Sequence, residues 1–215
     1  MNRPVFKEPA TYGWLEVKLT SHIIKHIWDC VNDAHGNAKP ELIGHIDKSL
    51  LLTDKNNILW DGLLDQLVKE YGNRWGHNHV KIPVLQTPEF RFEDRFKLCL
   101  EQFWVNYQNK HEFNPVHNHG GVYSFVAWLN IPTDHHEQNQ HYNAKDSSGE
   151  FNSSFCFHYT DSLGNIRTHL YALSPKWNGT LLFFPAALNH EVYPYYECDE
   201  QRISISGNIW LREKK

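Results

Sequence analysis

From Phe96 onward the sequence breaks into short runs rich in aromatic and branched residues, each closed by a turn signal. The runs are Phe96 to Tyr107, Val122 to Ile131, Phe151 to Thr160, Ile166 to Ala172, Thr180 to Phe184, His190 to Tyr195 and Gln201 to Trp210. Side chains of this kind suit a pleated surface covered by other elements. Several short strands in succession predict a sandwich or barrel, and Asp161 to Asn165 reads as the turn of a hairpin.

The first third has a different texture. Leu15, Val17 and Leu19 alternate with Glu16 and Lys18, as in a half-buried strand. Thr20 or Ser21 then offers an N-cap to a helix with Ile23, Ile24, Ile27, Trp28 and Val31 on one stripe, closed by Gly36-Asn37. A second helix is predicted from Ile58 to Tyr71, stopping at Gly72-Asn73, whereas Leu42 to Thr53 carries no clear period. The expectation is an α+β fold with a jelly-roll core and N-terminal helices packed on one sheet. At 215 residues the chain suits one domain, 1–215, with a helix-rich support region (1–94) and a β core (95–212).

Apolar content of 40%, with eight tryptophans, excludes a disordered chain. The net charge of −4 gives no reason to expect nucleic acid as a partner. Cys30, Cys99, Cys156 and Cys198 show no paired spacing, so neither a zinc ribbon nor a disulfide framework is indicated. The start lacks the apolar core of a leader, and no run approaches membrane-spanning length. A reduced, cytoplasmic setting follows as the expectation.

Between two strand-like runs stands Asn114-Pro115-Val116-His117-Asn118-His119-Gly120-Gly121. On an extended chain His117 and His119 project to the same side. His190 is a candidate third ligand. Three neutral imidazoles leave the full charge on a divalent ion, and an octahedral ion then keeps up to three open positions. Iron, zinc, copper or nickel would suit such donors. The tripeptide recurs at His77-Asn78-His79, with no spaced arginine attached, and reads there as loop histidines. Arg202 stands a dozen residues after His190, inside an apolar strand, with Ser204 on the same face. A buried arginine needs an anionic partner, and its planar fork matches a carboxylate. An internal Asp or Glu partner, or a strand end near solvent, are the alternatives.

These residues resemble, in order and spacing, the Fe(II)- and 2-oxoglutarate-dependent oxygenases, in particular a prolyl-hydroxylase-like branch found in bacteria and marine bacteriophages. The matching features are Trp104-Val105-Asn106, Val116-His117-Asn118-His119, a strand with Tyr123 and Ser124, and Gly179 to Pro185 leading to His190. Arg202-Ile203-Ser204-Ile205-Ser206-Gly207-Asn208 closes the pattern. The likeness spans roughly 95–212 and is weak before it.

The resemblance implies a double-stranded β-helix holding Fe(II) through His117, His119 and His190. It implies that Arg202, helped by Ser204, binds the C5 carboxylate of 2-oxoglutarate, with Asn106 and Tyr123 as further cosubstrate contacts. One departure concerns His119, where the wider superfamily has Asp or Glu: either it binds iron as a third imidazole or it turns away. The implied reaction hydroxylates a C–H bond, in a protein or peptide or in a small molecule, releasing succinate and CO2, with ascorbate supportive in vitro. The setting implied is the cytoplasm, that of the host if phage-encoded; nothing indicates an oligomeric state. Trp104, Phe125, Trp128 and Trp210 are pocket or core residues. The polar loop Thr133 to Gly149, with His135, His136 and His141, is a lid or a solvated insertion. Two other readings stay open: a cupin-like metal- or sugar-binding module, and a three-histidine dioxygenase that uses no 2-oxo acid.

Overall fold

The computed structural model describes residues 11–76 and 96–214. His77, His79 and the approach to Phe96 lie outside the described residues. The strands are β1 (Leu15–Lys18), β2 (Lys48–Leu51), β3 (Phe96–Gln108), β4 (Asn114–His117), β5 (Tyr123–Asn130), β6 (Ser154–Thr160), β7 (Ile166–Ala172), β8 (Thr180–Pro185), β9 (Asn189–Val192) and β10 (Arg202–Glu213). They form a six-stranded sheet, ordered β1-β8-β5-β10-β3-β2, and a four-stranded sheet, ordered β4-β9-β6-β7. All the pairings are antiparallel. Together they build the double-stranded β-helix.

The large sheet is covered on both faces, and its strands sort side chains by parity. Phe103, Val105, Tyr123, Phe125, Ala127, Phe183 and Ile205 pack with the helices in one core cluster. Val126, Trp128, Leu182 and Phe184 meet Phe155, Phe157 and Tyr171 of the small sheet in the other. Helix α1 (Ser21–Asn32) buries Ile23, Ile27, Cys30 and Val31, and the Thr20 hydroxyl accepts from the Ile23 N–H at its start. The expected N-cap is therefore present.

Helix α2 (Asp65–Trp75) runs through Gly72, where sequence reading placed its end, and stops at Gly76. A glycine inside a helix costs only about 1 kcal/mol relative to alanine. Fully buried Tyr71, its ring 4.6 Å from that of Trp75, ties the last turn to the core. Gly76, at φ +69°, takes the left-handed turn that ends the helix. The stretch without clear period holds β2, an edge strand beside β3.

The inner face of the large sheet carries a polar ladder where β3, β10 and β5 lie side by side. Arg202 sits opposite Gln108, Ser204 opposite Asn106 and Trp128, Ser206 opposite Trp104 and Val126, and Asn208 opposite Gln102 and Ser124. This ladder forms the floor of the candidate site.

Candidate metal centre

His117 ends β4 and His190 lies in β9 as its direct cross-strand partner, which brings the ring centroids to 4.2 Å. His119 stands beyond the strand, its backbone N–H bonded to the Ala186 carbonyl at 2.8 Å. The chain then turns over the Trp210 ring through Gly120 and Gly121. A Cβ on Gly120 would fall 2.8 Å from that ring, and Gly121 has φ +92° with the Ile209 carbonyl 2.8 Å from where its Cβ would lie. Only glycine allows this approach. The His119 ring consequently lies 4.9 Å from that of His117 and 5.0 Å from that of His190. One ligand atom from each of the three lies within 4.8 Å of the others.

The second-nitrogen bonds fix how two of these rings face. His117 Nδ1 is 2.7 Å from the Pro115 carbonyl, and His190 Nδ1 is 2.9 Å from the Leu188 carbonyl. A carbonyl only accepts, so each Nδ1 carries the proton and Nε2 keeps its lone pair. Burial holds His117 below the usual imidazole range. His119 is lowered to about 4, by burial first and then by the neighbouring His117. His190, the most deeply buried, lies well below its ordinary value for the same reason, reinforced by the other two rings. Neutral imidazoles with converging lone pairs are the form a divalent ion requires. The donor set suits iron(II).

A cavity of about 160 Å³ extends from these rings along the ladder to Arg202, lined by Asn106, Ser204 and Ser206 and walled by Val126, Trp128 and Phe184. Asn106 accepts a 2.7 Å hydrogen bond from Ser49. Arg202 is only 1% exposed. Its Nη1 donates to Gln108 Oε1 at 3.2 Å and to the Tyr193 carbonyl at 3.4 Å, and its Nη2 donates to Ser153 Oγ at 2.7 Å. The Tyr195 ring lies 5.0 Å from the guanidinium carbon. The Tyr195 hydroxyl is within 2.7 Å of the carbonyls of both Gln108 and Glu200, which anchors that ring.

No carboxylate among the described residues pairs with Arg202, and its Nε is buried without a partner. Burial lowers this guanidinium to about 10, so it stays charged at neutral pH. An uncompensated buried cation costs several kcal/mol. Neither the internal salt bridge nor the exposed strand end is found there.

Tyr123 is a correction. It projects from the helix-facing side of β5, its ring 5.1 Å from Tyr71 and 4.9 Å from Phe183. Its neighbour Ser124 faces inward instead. Phe125 shares the parity of Tyr123 and packs 6.1 Å from Phe103. The loop from Thr133 is a solvated insertion over most of residues 142–150, anchored at both ends. Asp134 caps the single helical turn His135–Gln138, Asn139 and Asn152 exchange hydrogen bonds, and Gln138 bonds both backbone groups of Tyr196. His135 reaches the Glu150 carbonyl and His141 stacks on Tyr196, so neither ring faces the metal centre. The loop's product is Ser153, held at φ +55° with Oγ 3.0 Å from Thr133 Oγ1 and bonded to Arg202.

Gln108 and Ser153 are the site residues that sequence reading missed. Gln108 follows Asn106 by two on one strand, and that spacing was an available signal. Ser153 reaches Arg202 across 49 positions of chain, and no local pattern marks it.

The family model described as a putative 2OG-Fe(II) oxygenase matches residues 102–208, which include the three imidazoles and Arg202. Among solved structures, a prolyl-4-hydroxylase from Pseudomonas putida is 17% identical, covering 96% of this chain and 95% of that one at a TM-score of 0.48. A prolyl hydroxylase from Trichoplax adhaerens, in complex with a hypoxia inducible factor oxygen degradation domain peptide fragment, is 13% identical. It covers 94% of this chain and 84% of that one at a TM-score of 0.52, a likeness of fold. No curated protein matches the sequence.

Proposed function

We propose, from the premise that this chain belongs through residues 102–208 to the 2OG-Fe(II) oxygenase family, that it hydroxylates a C–H bond in a protein or peptide substrate. The reading is prolyl-hydroxylase-like, with 2-oxoglutarate converted to succinate and CO2. The observation that carries it is the buried, carboxylate-free guanidinium of Arg202, at the far end of a cavity that begins at three neutral imidazoles. A plain metal- or sugar-binding module has no use for that charge.

Fe(II) with 2-oxoglutarate, when bound, supplies the oxidising chemistry that uses dioxygen. The residues of the chain hold and orient. His117, His119 and His190 would hold the iron, with the two Nδ1 hydrogen bonds fixing ring orientation. Arg202 would receive the distal carboxylate on its planar fork, and Ser204, on the same inner row, would donate a further hydrogen bond. Asn106 lines the space between. Val126, Trp128 and Phe184 make an apolar wall that keeps water from the reacting end. Four free thiols and no described helix long and apolar enough to cross a membrane agree with a cytoplasmic setting, which belongs to the same proposal.

The test is succinate release under Fe(II), ascorbate and 2-oxoglutarate across a panel of proline-containing peptides, with His190→Ala as the control for adventitious iron. Peptide-stimulated succinate formation that vanishes in His190→Ala is expected. Iron binding without any 2-oxoglutarate turnover would overturn the reading.

A further inference from the structure

A second cavity, of about 340 Å³, is also lined by His119. His119, Trp104, Asn118, Glu41 and Leu42 line both spaces, so the two meet at the metal centre. The same polar ladder forms both floors, and its two ends differ in charge. Arg202 closes the first; Gln102 and Asn208 lie in the second.

The neutral end has a defined hydrogen-bond polarity. Ser124, buried to 1%, has its hydroxyl 2.7 Å from Asn208 Oδ1, and donates to it. That orients Asn208 Nδ2 toward Gln102 Oε1, at 2.6 Å. The Gln102 amino group is then left without a partner among the described residues. Trp104 and Trp210, which line the same cavity, carry buried indole N–H groups that also lack partners. The two indole N–H groups are buried without acceptors, and the half-buried Gln102 amino group beside them is accessible to a ligand that brings acceptors. No Lys or Arg lines this cavity among the described residues, and Glu41 is its one carboxylate. A free carboxylate would find donors there but no Lys or Arg among the described residues, and would face Glu41 as well.

We propose that this second cavity is the substrate subsite and that it reads a neutral amide carbonyl through Gln102. The substrate is thus an internal peptide segment and not a free amino acid. The inference rests on the oxygenase reading for its chemistry, and on the cavity alone for its binding.

Two small probes separate the chemistries: N-acetyl-L-proline methylamide, and N-acetyl-L-proline with its free carboxylate. Saturation-transfer NMR on the full chain reads their binding with or without metal. Mn(II) added in place of iron then reports nearness to the imidazoles by relaxing probe protons. The methylamide is expected to bind and to be relaxed, and the carboxylate to bind at least about ten-fold more weakly, the neutral acceptor being favoured. Gln102→Glu keeps an oxygen for Asn208 but turns the donor into a charged acceptor, so it should weaken the methylamide by at least about five-fold, one hydrogen bond's net worth with a repulsion added. It should leave 2-oxoglutarate binding unchanged. Gln102→Met gives the same readout if the glutamate variant does not fold.

Equal binding of both probes, binding without paramagnetic relaxation, or no change in either Gln102 variant would overturn the subsite. Failure of 2-oxoglutarate to bind while the methylamide still depends on Gln102 would instead sink the oxygenase reading and spare the subsite.

Discussion

Among the described residues, two clusters bring three metal-competent side chains within 4.8 Å of one another: His117, His119 and His190, and His26, Cys30 and Asp54. Of these two, the first alone keeps lone pairs that an ion could use. In the second the ligand atoms are already spent. Asp54 Oδ1 accepts from His26 Nε2 at 2.7 Å and from the Leu59 N–H at 2.9 Å, and its other oxygen accepts from the Trp60 N–H at 2.9 Å. Cys30 Sγ lies 3.5 Å from the same His26 nitrogen. Burial and the nearby Asp54 charge push its thiol up to about 11, away from the thiolate a metal needs. That cluster caps a helical segment and ties it to α1. In the first, the ring bonds identified use Nδ1 and leave the Nε2 lone pairs of His117 and His190 available. Proximity of ligands says less than what their lone pairs already do.

The contrast can be broken at either cluster. His190→Ala should abolish stoichiometric iron binding and all succinate formation, read by metal analysis of the purified protein together with turnover. Arg202→Ala should leave iron in place and weaken 2-oxoglutarate about 100-fold, the loss of a charge-assisted pair, measured by calorimetry. Metal-free protein should lose stability under acid. The three imidazoles sit below their unfolded value of 6.5 in the folded chain, His119 at about 4. Protons therefore favour the unfolded state: the stabilisation is complete above pH 6.5 and declines as pH falls toward 4, which melting temperatures across that range would show. Asp54→Ala should cost about 2 kcal/mol of stability through its lost caps, with iron content unchanged, by denaturant titration. Cys30→Ala, the mildest, should cost about 1 kcal/mol and also leave iron unchanged.

What the sequence disclosed follows the same physics. His117, His119 and His190 were legible because a period-two pair next to a turn and one distant histidine carry their own spacing. Arg202 and Ser204 were legible because a charge inside an apolar strand demands an explanation. Tyr123 was misplaced for a related reason. Strand β5 is covered on both faces, so its run Tyr123-Ser124-Phe125-Val126-Ala127-Trp128 has no polar alternation to reveal which parity faces the site. Only the pairing register with β10 settles it. Ser153 was invisible because it acts through a positive-φ turn held by the buried amides of Asn139 and Asn152. The end of α2 was misjudged by one glycine, because Tyr71 and Trp75 pack the extra turn into the core.

The most direct measurement is a titration of 2-oxoglutarate into anaerobic, Fe(II)-loaded protein, followed by visible absorption. A weak charge-transfer band should rise and saturate at one cosubstrate per chain, be absent in His190→Ala, and need far more 2-oxoglutarate in Arg202→Ala. Iron that binds without giving the band, or a band that saturates in Arg202→Ala just as in the parent, would contradict the pairing of the three imidazoles with that buried guanidinium.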